Sequence, residues 1–228
     1  MDKNSEQLLI TAIIPVGGFP NGTDQITHWL SNPSLAKFEI ILVIDSDSIE
    51  VKAQVDYIAG KLREITQVTV LISNERNPGG IRNIGLKHAK GSWITFWDCD
   101  DTPRPSEFLE MISFASKVSA DVAVGSYKTN WDLGSRNYPI HQIGNLTTLE
   151  SIALNPGLWR FAFRAELARQ FQFPGISMAE DQVYLSKVLS ESKNIFVQNQ
   201  IVYEYWLYPD NQLTKSKNAI SDLRQAFL

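Results

Sequence analysis

The sequence predicts an α/β domain with a mostly parallel central sheet and helices on both faces. Three observations carry this. Short apolar runs recur through the first hundred residues: LLITAIIPV (8–16), FEIILVID (38–45), VTVLIS (68–73) and WITFWD (93–98). Each is nearly continuous in apolar residues, as a strand buried on both faces requires. The stretches between them are of helical length, and parallel strands need crossovers of that kind.

In chain order, the first run reaches Pro15 as a strand would. Ile49, Val51, Val55, Ile58, Ala59 and Leu62 fall at helical spacing, and Ile81, Ile84, Gly85 and His88 repeat it less regularly. After Asp101 the pattern loosens. PSEFLEMISFASKV (105–118) reads as a helix, ADVAVGSY (120–127) as a strand, and 128–146 as a polar, aromatic-rich connection. Thr147 with Glu150 forms a capping box for a short helix ending before Asn155-Pro156. Ser177 with Glu180 forms a second box, opening a helix over 178–191 with Val183, Leu185, Val188 and Leu189 inward. A strand over 195–206 and a helix over 217–228 complete the chain. No repeat, low-complexity tract or linker divides it, so residues 1–228 are expected to form one domain.

Composition narrows the function. The 228 residues carry a net charge of −4, with no basic field of the kind that binds nucleic acid. A single cysteine excludes an internal disulfide framework and a cysteine-based zinc cluster, and it fits a reducing compartment, with cytoplasm expected. The apolar stretch near the N-terminus is too short for a signal peptide or a membrane span.

Ligands of open parallel sheets bind beyond the carboxyl ends of the strands. Those ends carry PVGG (15–18), DSDS (45–48), SNERNPGG (73–80) and DCDD (98–101). Three carboxylates within four positions, Asp98, Asp100 and Asp101, resist burial unless water, donors or a cation offset their charge. Mg²⁺ or Mn²⁺ held between such acids and a diphosphate would neutralise both. Dinucleotide and P-loop folds are excluded, since no GxGxxG follows the first strand and GIRNIGLK (80–87) has Leu86 where a P-loop needs lysine.

The run GGIRNIGLKHAKGSWITFWDCDD (79–101), preceded by Pro15-Val16 and Asp45-Ser46-Asp47-Ser48 and followed by Trp159 and Glu180-Asp181, resembles the family-2 glycosyltransferases of the GT-A fold. The resemblance implies a nucleotide-sugar-binding half over 1–101 and an acceptor-binding half over 102–228. It implies that Pro15, Val16, Asp45 and Asp47 lie at the nucleotide site, with Asp45 recognising the base and Arg82 near it. Asp98 would meet the ribose, Asp100 would coordinate the metal, and Asp181 would be the catalytic base. Trp159 would flank the acceptor and donor-sugar pocket, beside Glu180. The implied reaction is inverting transfer of a sugar from a nucleotide donor, expected to be a UDP-sugar, to a saccharide or lipid-linked hydroxyl. No transmembrane segment is expected, and contact with the inner face of the membrane is compatible with a lipid-linked acceptor.

The chain departs from the family at Asp45-Ser46-Asp47-Ser48, where Asp-Asp-Gly-Ser is common and an altered base recognition is expected, and in three further places. Gly17-Gly18 replaces an aromatic-Asn pair, Trp206 and Tyr208 replace basic residues, and none of His28, His88 and His141 stands where a late histidine would complete the metal site. Metal binding is therefore expected to be weaker or to depend on substrate. Plainer readings stand beside several residues. The capping box accounts for Glu180, Arg82 could simply pair with an acid, Asn83 could be a helix-surface residue, and Trp159 could be a core aromatic. Two other functions share the sheet: a nucleotidyltransferase, for which GGFPNG (17–22) offers no phosphate-binding lysine or arginine, and a non-catalytic sugar-nucleotide or carbohydrate-binding protein.

Overall fold

The computed structural model describes residues 9–18, 26, 31–75, 77–131, 134–138, 156–176 and 178–207. Strands β1 (Ile10–Val16), β2 (Phe38–Ile44), β3 (Gln67–Ile72) and β4 (Trp93–Phe96) lie parallel in the order β3-β2-β1-β4. Helix α1 (Ile49–Arg63) joins β2 to β3, and α2 (Pro78–His88) joins β3 to β4. Ser48 caps α1 by accepting from the Val51 N–H. Asn77 caps α2 by accepting from the Gly80 N–H at 2.7 Å, with Pro78 in the first turn where its missing N–H costs nothing.

The remaining elements are β5 (Thr102–Pro103), α3 (Pro105–Lys117), β6 (Val122–Trp131), β7 (Gly134–Tyr138), β8 (Phe161–Arg164), α4 (Ala165–Ala168), α5 (Glu180–Glu191) and β9 (Ile195–Trp206). They extend the sheet past β4 as β8-β6-β9-β5, with β7 paired to β6. Here β8 runs antiparallel to both β4 and β6, while β6 and β9 are parallel. The α/β class stands, with a sheet that is all parallel over β3-β2-β1-β4 and mixed beyond β4.

Period-two alternation divides the core. Ile10, Ala12, Ile14 and Val16 of β1 face one layer with Val55 and Ile58 of α1 and Phe108 of α3. Ile13 faces the other with Ile81 and Leu86 of α2 and Tyr184 and Val188 of α5. The second layer is tight. A Cβ on Gly85 would lie 2.4 Å from Ile13 Cγ2, so only glycine lets α2 sit this close to β1.

Several expectations change. Strand β6 runs on to Trp131 and turns back through β7, so part of 128–146 is a hairpin. Helix α5 begins at Glu180, and its N-cap is Ala179 with φ 62 and no side-chain cap bond, which removes the capping-box role of Glu180. Tyr184 takes the inward position expected of Val183, which is half-buried. Ile49 opens α1 on the exposed side. Ser177, the Thr147–Glu150 box and the helix expected over 217–228 lie outside the described residues. Among the described residues no helix is long and apolar enough to cross a membrane.

Candidate active site

Strand order reverses between β1 and β4, because β2 and β3 build outward on one side of β1 while β4 lies on the other. Loops diverge at such a switch point and leave a crevice at the strand ends. A cleft of about 690 Å³ opens there, lined by Pro15, Gly17, Asp45, Arg82, Asp98 and Asp100 on one side and by Trp159, Glu180, Asp181, Tyr205 and Trp206 on the other.

The acidic tip resolves its own repulsion by sending its carboxylates in three directions. A turn closes where the Asp101 N–H donates to the Asp98 carbonyl at 3.4 Å. Asp98 accepts from Arg82 Nη2 at 3.0 Å, and its N–H donates to the Tyr203 hydroxyl at 3.0 Å. Asp100 faces the cleft, and burial followed by the charge of Asp98 pushes its carboxyl up to about 6. Asp101 turns inward and accepts from the Trp206 N–H at 2.8 Å. Burial, then the charges of Asp100 and Asp98, hold Asp101 well above the usual carboxylate range. Cys99 donates its thiol to the Gly18 carbonyl at 3.4 Å, and burial raises that thiol far enough to keep it a packing residue.

Arg82 ties the two sides of the cleft together. Its Nη1 donates to Glu180 Oε1 at 2.5 Å, and its Nη2 holds Asp98. Burial opposes the guanidinium charge, but Asp98, Glu180 and Asp181 more than offset it, so the arginine stays charged. Arg82 thus pairs with acids, as its plainer reading has it, and also lines the cleft. Next to it, Asn83 is no surface residue. Its amide donates to the Phe173 carbonyl and accepts from the Phe173 N–H, each at 2.9 Å.

Asp181 stands in the first turn of α5 and lines the cleft. A helix N-terminus favours ionised carboxylates. Here burial wins, and with the charge of Glu180 it lifts Asp181 to about 6 against the opposing pull of Arg82. Trp159 lies parallel to Tyr203 at 4.6 Å and Tyr205 at 5.5 Å, so it is a packing residue as well as a wall of the cleft. Gly157 makes room for it, since a Cβ there would lie 2.5 Å from the indole.

Of the residues singled out from the sequence, Pro15, Asp45, Arg82, Asp98, Asp100, Trp159, Glu180 and Asp181 converge on the cleft. Val16 does not, being fully buried beneath it, and Asp47 is exposed on the loop after β2 and outside the cleft lining. The aromatics of 203–208 read as strand residues whose exposed face could stack on a sugar, and Tyr205 and Trp206 line the cleft, whereas sequence reasoning missed Asn83 as a bonded residue. Nothing local signalled the Asn83 bonds, which span 90 residues.

Among the described residues no three acids, histidines or cysteines cluster as a self-sufficient metal site. One cleft-facing carboxylate, Asp100, beside an Asp98 already bonded to Arg82, suits Mg²⁺ or Mn²⁺ when diphosphate oxygens and water complete the shell.

A family model described as glycosyl transferase family 2 matches residues 24–179, more than half of the chain. The chain belongs to glycosyl transferase family 2. This family-2 chain is 26% identical over 215 residues to the poly(ribitol-phosphate) beta-glucosyltransferase of Bacillus spizizenii, a match covering 89% of the chain and 33% of that protein. Its fold matches S. aureus TarS 1-349 in complex with UDP-GlcNAc, with a TM-score of 0.77 at 22% identity over 96% of the chain and 65% of that 1-349 chain. It also matches the mannosyltransferase PcManGT from Pyrobaculum calidifontis in complex with GDP-Man and Mn²⁺, with a TM-score of 0.66 at 15% identity over 96% and 62%. The family-2 chain thus spans from a third to under two thirds of the length of these proteins.

Proposed function

We propose that this chain transfers a sugar, with inversion, from a nucleotide-sugar donor to a hydroxyl of a saccharide, polyol-phosphate or lipid-linked acceptor. The observation that carries the reading is the meeting of Asp100 and Asp181 in one cleft, with Arg82 bonded to the neighbour of each side, Asp98 and Glu180. Membership of the family and the UDP-GlcNAc and GDP-Man held by the two structural neighbours support a nucleotide sugar, with UDP the leading nucleotide. The polymer named for the Bacillus spizizenii relative supports a chain-like acceptor.

In this reading residues 1–101 hold the donor and 102–228 the acceptor. Pro15 and Asp45 border the base, Asp98 the ribose, and Trp159 with Tyr205 the acceptor side. Asp181 takes the proton from the acceptor hydroxyl as its oxygen bonds to the anomeric carbon, and the bond from that carbon to the phosphate oxygen breaks on the opposite side. A carboxylate lifted to about 6 is mostly ionised at neutral pH yet more basic than an exposed aspartate. Asp100 would hold Mg²⁺ or Mn²⁺, which when bound would supply Lewis-acid stabilisation of the departing diphosphate. Arg82 keeps the donor-side and acceptor-side acids at fixed separation. The nucleotide-sugar pool puts this chemistry in the cytoplasm, at the inner face of the membrane where the acceptor is lipid-linked.

The test is incubation with a panel of nucleotide sugars, with and without Mn²⁺, followed by nucleotide release. Metal-dependent UDP release that is lost in Asp100→Ala supports the reading. Binding without turnover would replace it with a carbohydrate-binding role, and pyrophosphate release from a nucleoside triphosphate plus sugar phosphate with a nucleotidyltransferase.

A further inference from the structure

The segment leading into α5, described over 173–176 and 178–180, sets where Asp181 stands. Its two ends are fastened to adjacent residues of α2. At the near end both backbone polar groups of Phe173 bond to the Asn83 amide at 2.9 Å. At the far end Glu180 accepts from Arg82 at 2.5 Å. Neighbouring residues on a helix point about 100° apart, so the pair grips two points on the loop instead of one. Gly79, one turn earlier, lets the helix touch what it grips. A Cβ there would lie 2.5 Å from the Pro174 carbonyl oxygen and 3.2 Å from Glu180 Cγ.

The loop does not hold this shape on its own. Ala179, just before Glu180, sits at φ 62, a left-handed backbone that non-glycine residues adopt only where their surroundings enforce it. Ala179, the N-cap of the helix that follows, offers no side-chain cap bond to its first turn. Phe173 does stack on Tyr184 of α5 at 3.9 Å and meets Phe96 edge-on, which anchors its ring to the core. That apolar anchor fixes the ring and leaves the backbone heading to be set by hydrogen bonds.

We propose that Asn83, acting with Arg82 and Gly79, is a positioning residue for Asp181, clamping the loop that presents it to the acceptor hydroxyl. The proposal rests on Asp181 being the base. Asn83 lies outside the cleft lining and touches no reacting group, so its effect passes through the loop. A base displaced by about an ångström loses rate without losing ground-state binding, on the order of 10- to 100-fold in kcat.

The test compares wild type, Asn83→Ala, Asn83→Gln, Gly79→Ala and Asp181→Asn. Hydrogen exchange is read on peptides covering 173–182, and kcat and KM are measured from nucleotide release with the best donor of a UDP-sugar and GDP-sugar panel. In N83A, exchange at 173–182 should rise on the order of ten-fold while β1 and β2 stay protected, since the aromatic anchor keeps the protein folded. Its kcat should fall with donor KM unchanged. The acid limb of kcat should also move to lower pH, because a loosened loop admits water to Asp181, whose other charged neighbours, Glu180, Arg82 and Asp98, are unaltered. G79A should act in the same direction, and N83Q, which keeps the amide, should recover part of both effects.

Unchanged exchange at 173–182 in N83A and G79A would overturn the proposal. So would faster exchange with unchanged kcat, or a kcat loss uniform across pH and matched by loss of folded protein. Full turnover in D181N would overturn the base assignment and with it this role. A silent N83A beside an inactive D181N would overturn only the clamp.

Discussion

Arg82→Met removes the only charge bonded to Glu180 among the described contacts and leaves a carboxylate in a setting it does not tolerate alone. The Glu180 side chain is 7% exposed and that of Arg82 10%, so their 2.5 Å pair is buried. Deleting one partner of a buried pair costs about 3–5 kcal/mol, mostly from the stranded charge. The second bond, to an Asp98 side chain that is 32% exposed, adds about 0.2–1 kcal/mol. For a chain of this size each kcal/mol lowers Tm by about 2–4 °C, so a drop of about 6–24 °C is expected. Urea unfolding followed by circular dichroism gives the free energy directly, provided m is unchanged. Arg82→Met combined with Glu180→Met should recover most of the loss, since apolar replacement of a whole buried pair is close to neutral. A loss below about 1 kcal/mol in R82M, or a double variant as unstable as the sum of the singles, would refute the reasoning.

Other perturbations follow from the same geometry. Asp181→Asn should leave donor affinity intact while lowering kcat by about 10²- to 10⁴-fold, and wild-type kcat should fall as pH drops through about 6, where Asp181 loses its charge. Asp100 titrates in the same window, so excess Mn²⁺ at pH 5.5 should restore only the part of the loss due to its protonation, as a titration of rate against metal would show. Asp101 has a folded-state value raised above the unfolded one, so its stabilising contribution is complete below about pH 3.9 and is lost as pH climbs towards the raised value. Asp101→Asn keeps an acceptor for the Trp206 N–H, and its Tm in metal-free protein should gain on wild type between pH 5 and pH 8. Gly85→Ala, with its Cβ 2.4 Å from Ile13 Cγ2, should cost about 1–3 kcal/mol in urea unfolding through overpacking of α2 on β1.

Local chemistry made the first half of the chain legible. The continuous apolar runs form β1 to β4, with β1, β2 and β4 buried on both faces and the edge strand β3 only half-buried, and the spacing of Val55, Ile58, Ala59 and Leu62 places one side of a helix inward. The positions after those strands were equally readable, because a parallel sheet puts its ligand there whatever the loops do. That logic, joined to the family resemblance, named eight residues that line the cleft, and it also named Val16 and Asp47, which the fold directs to the core and to an outer loop. The second half was less legible because its sheet is held by pairings such as Thr102 to Glu204 and Val122 to Phe163, which leave no periodic trace in any one segment.

What the sequence by itself determined was the set of strand ends and the concentration of acids upon them. Only the tertiary structure decided how those acids are used. Glu180 followed by nothing but its neighbours reads as a cap, and Asn83 as a surface amide, because each takes its meaning from a partner 98 or 90 residues away. The same holds for the charge state of Asp181. A helix N-terminus would lower it, and burial within the folded cleft raises it to about 6, an outcome set by the solvent that folding excludes.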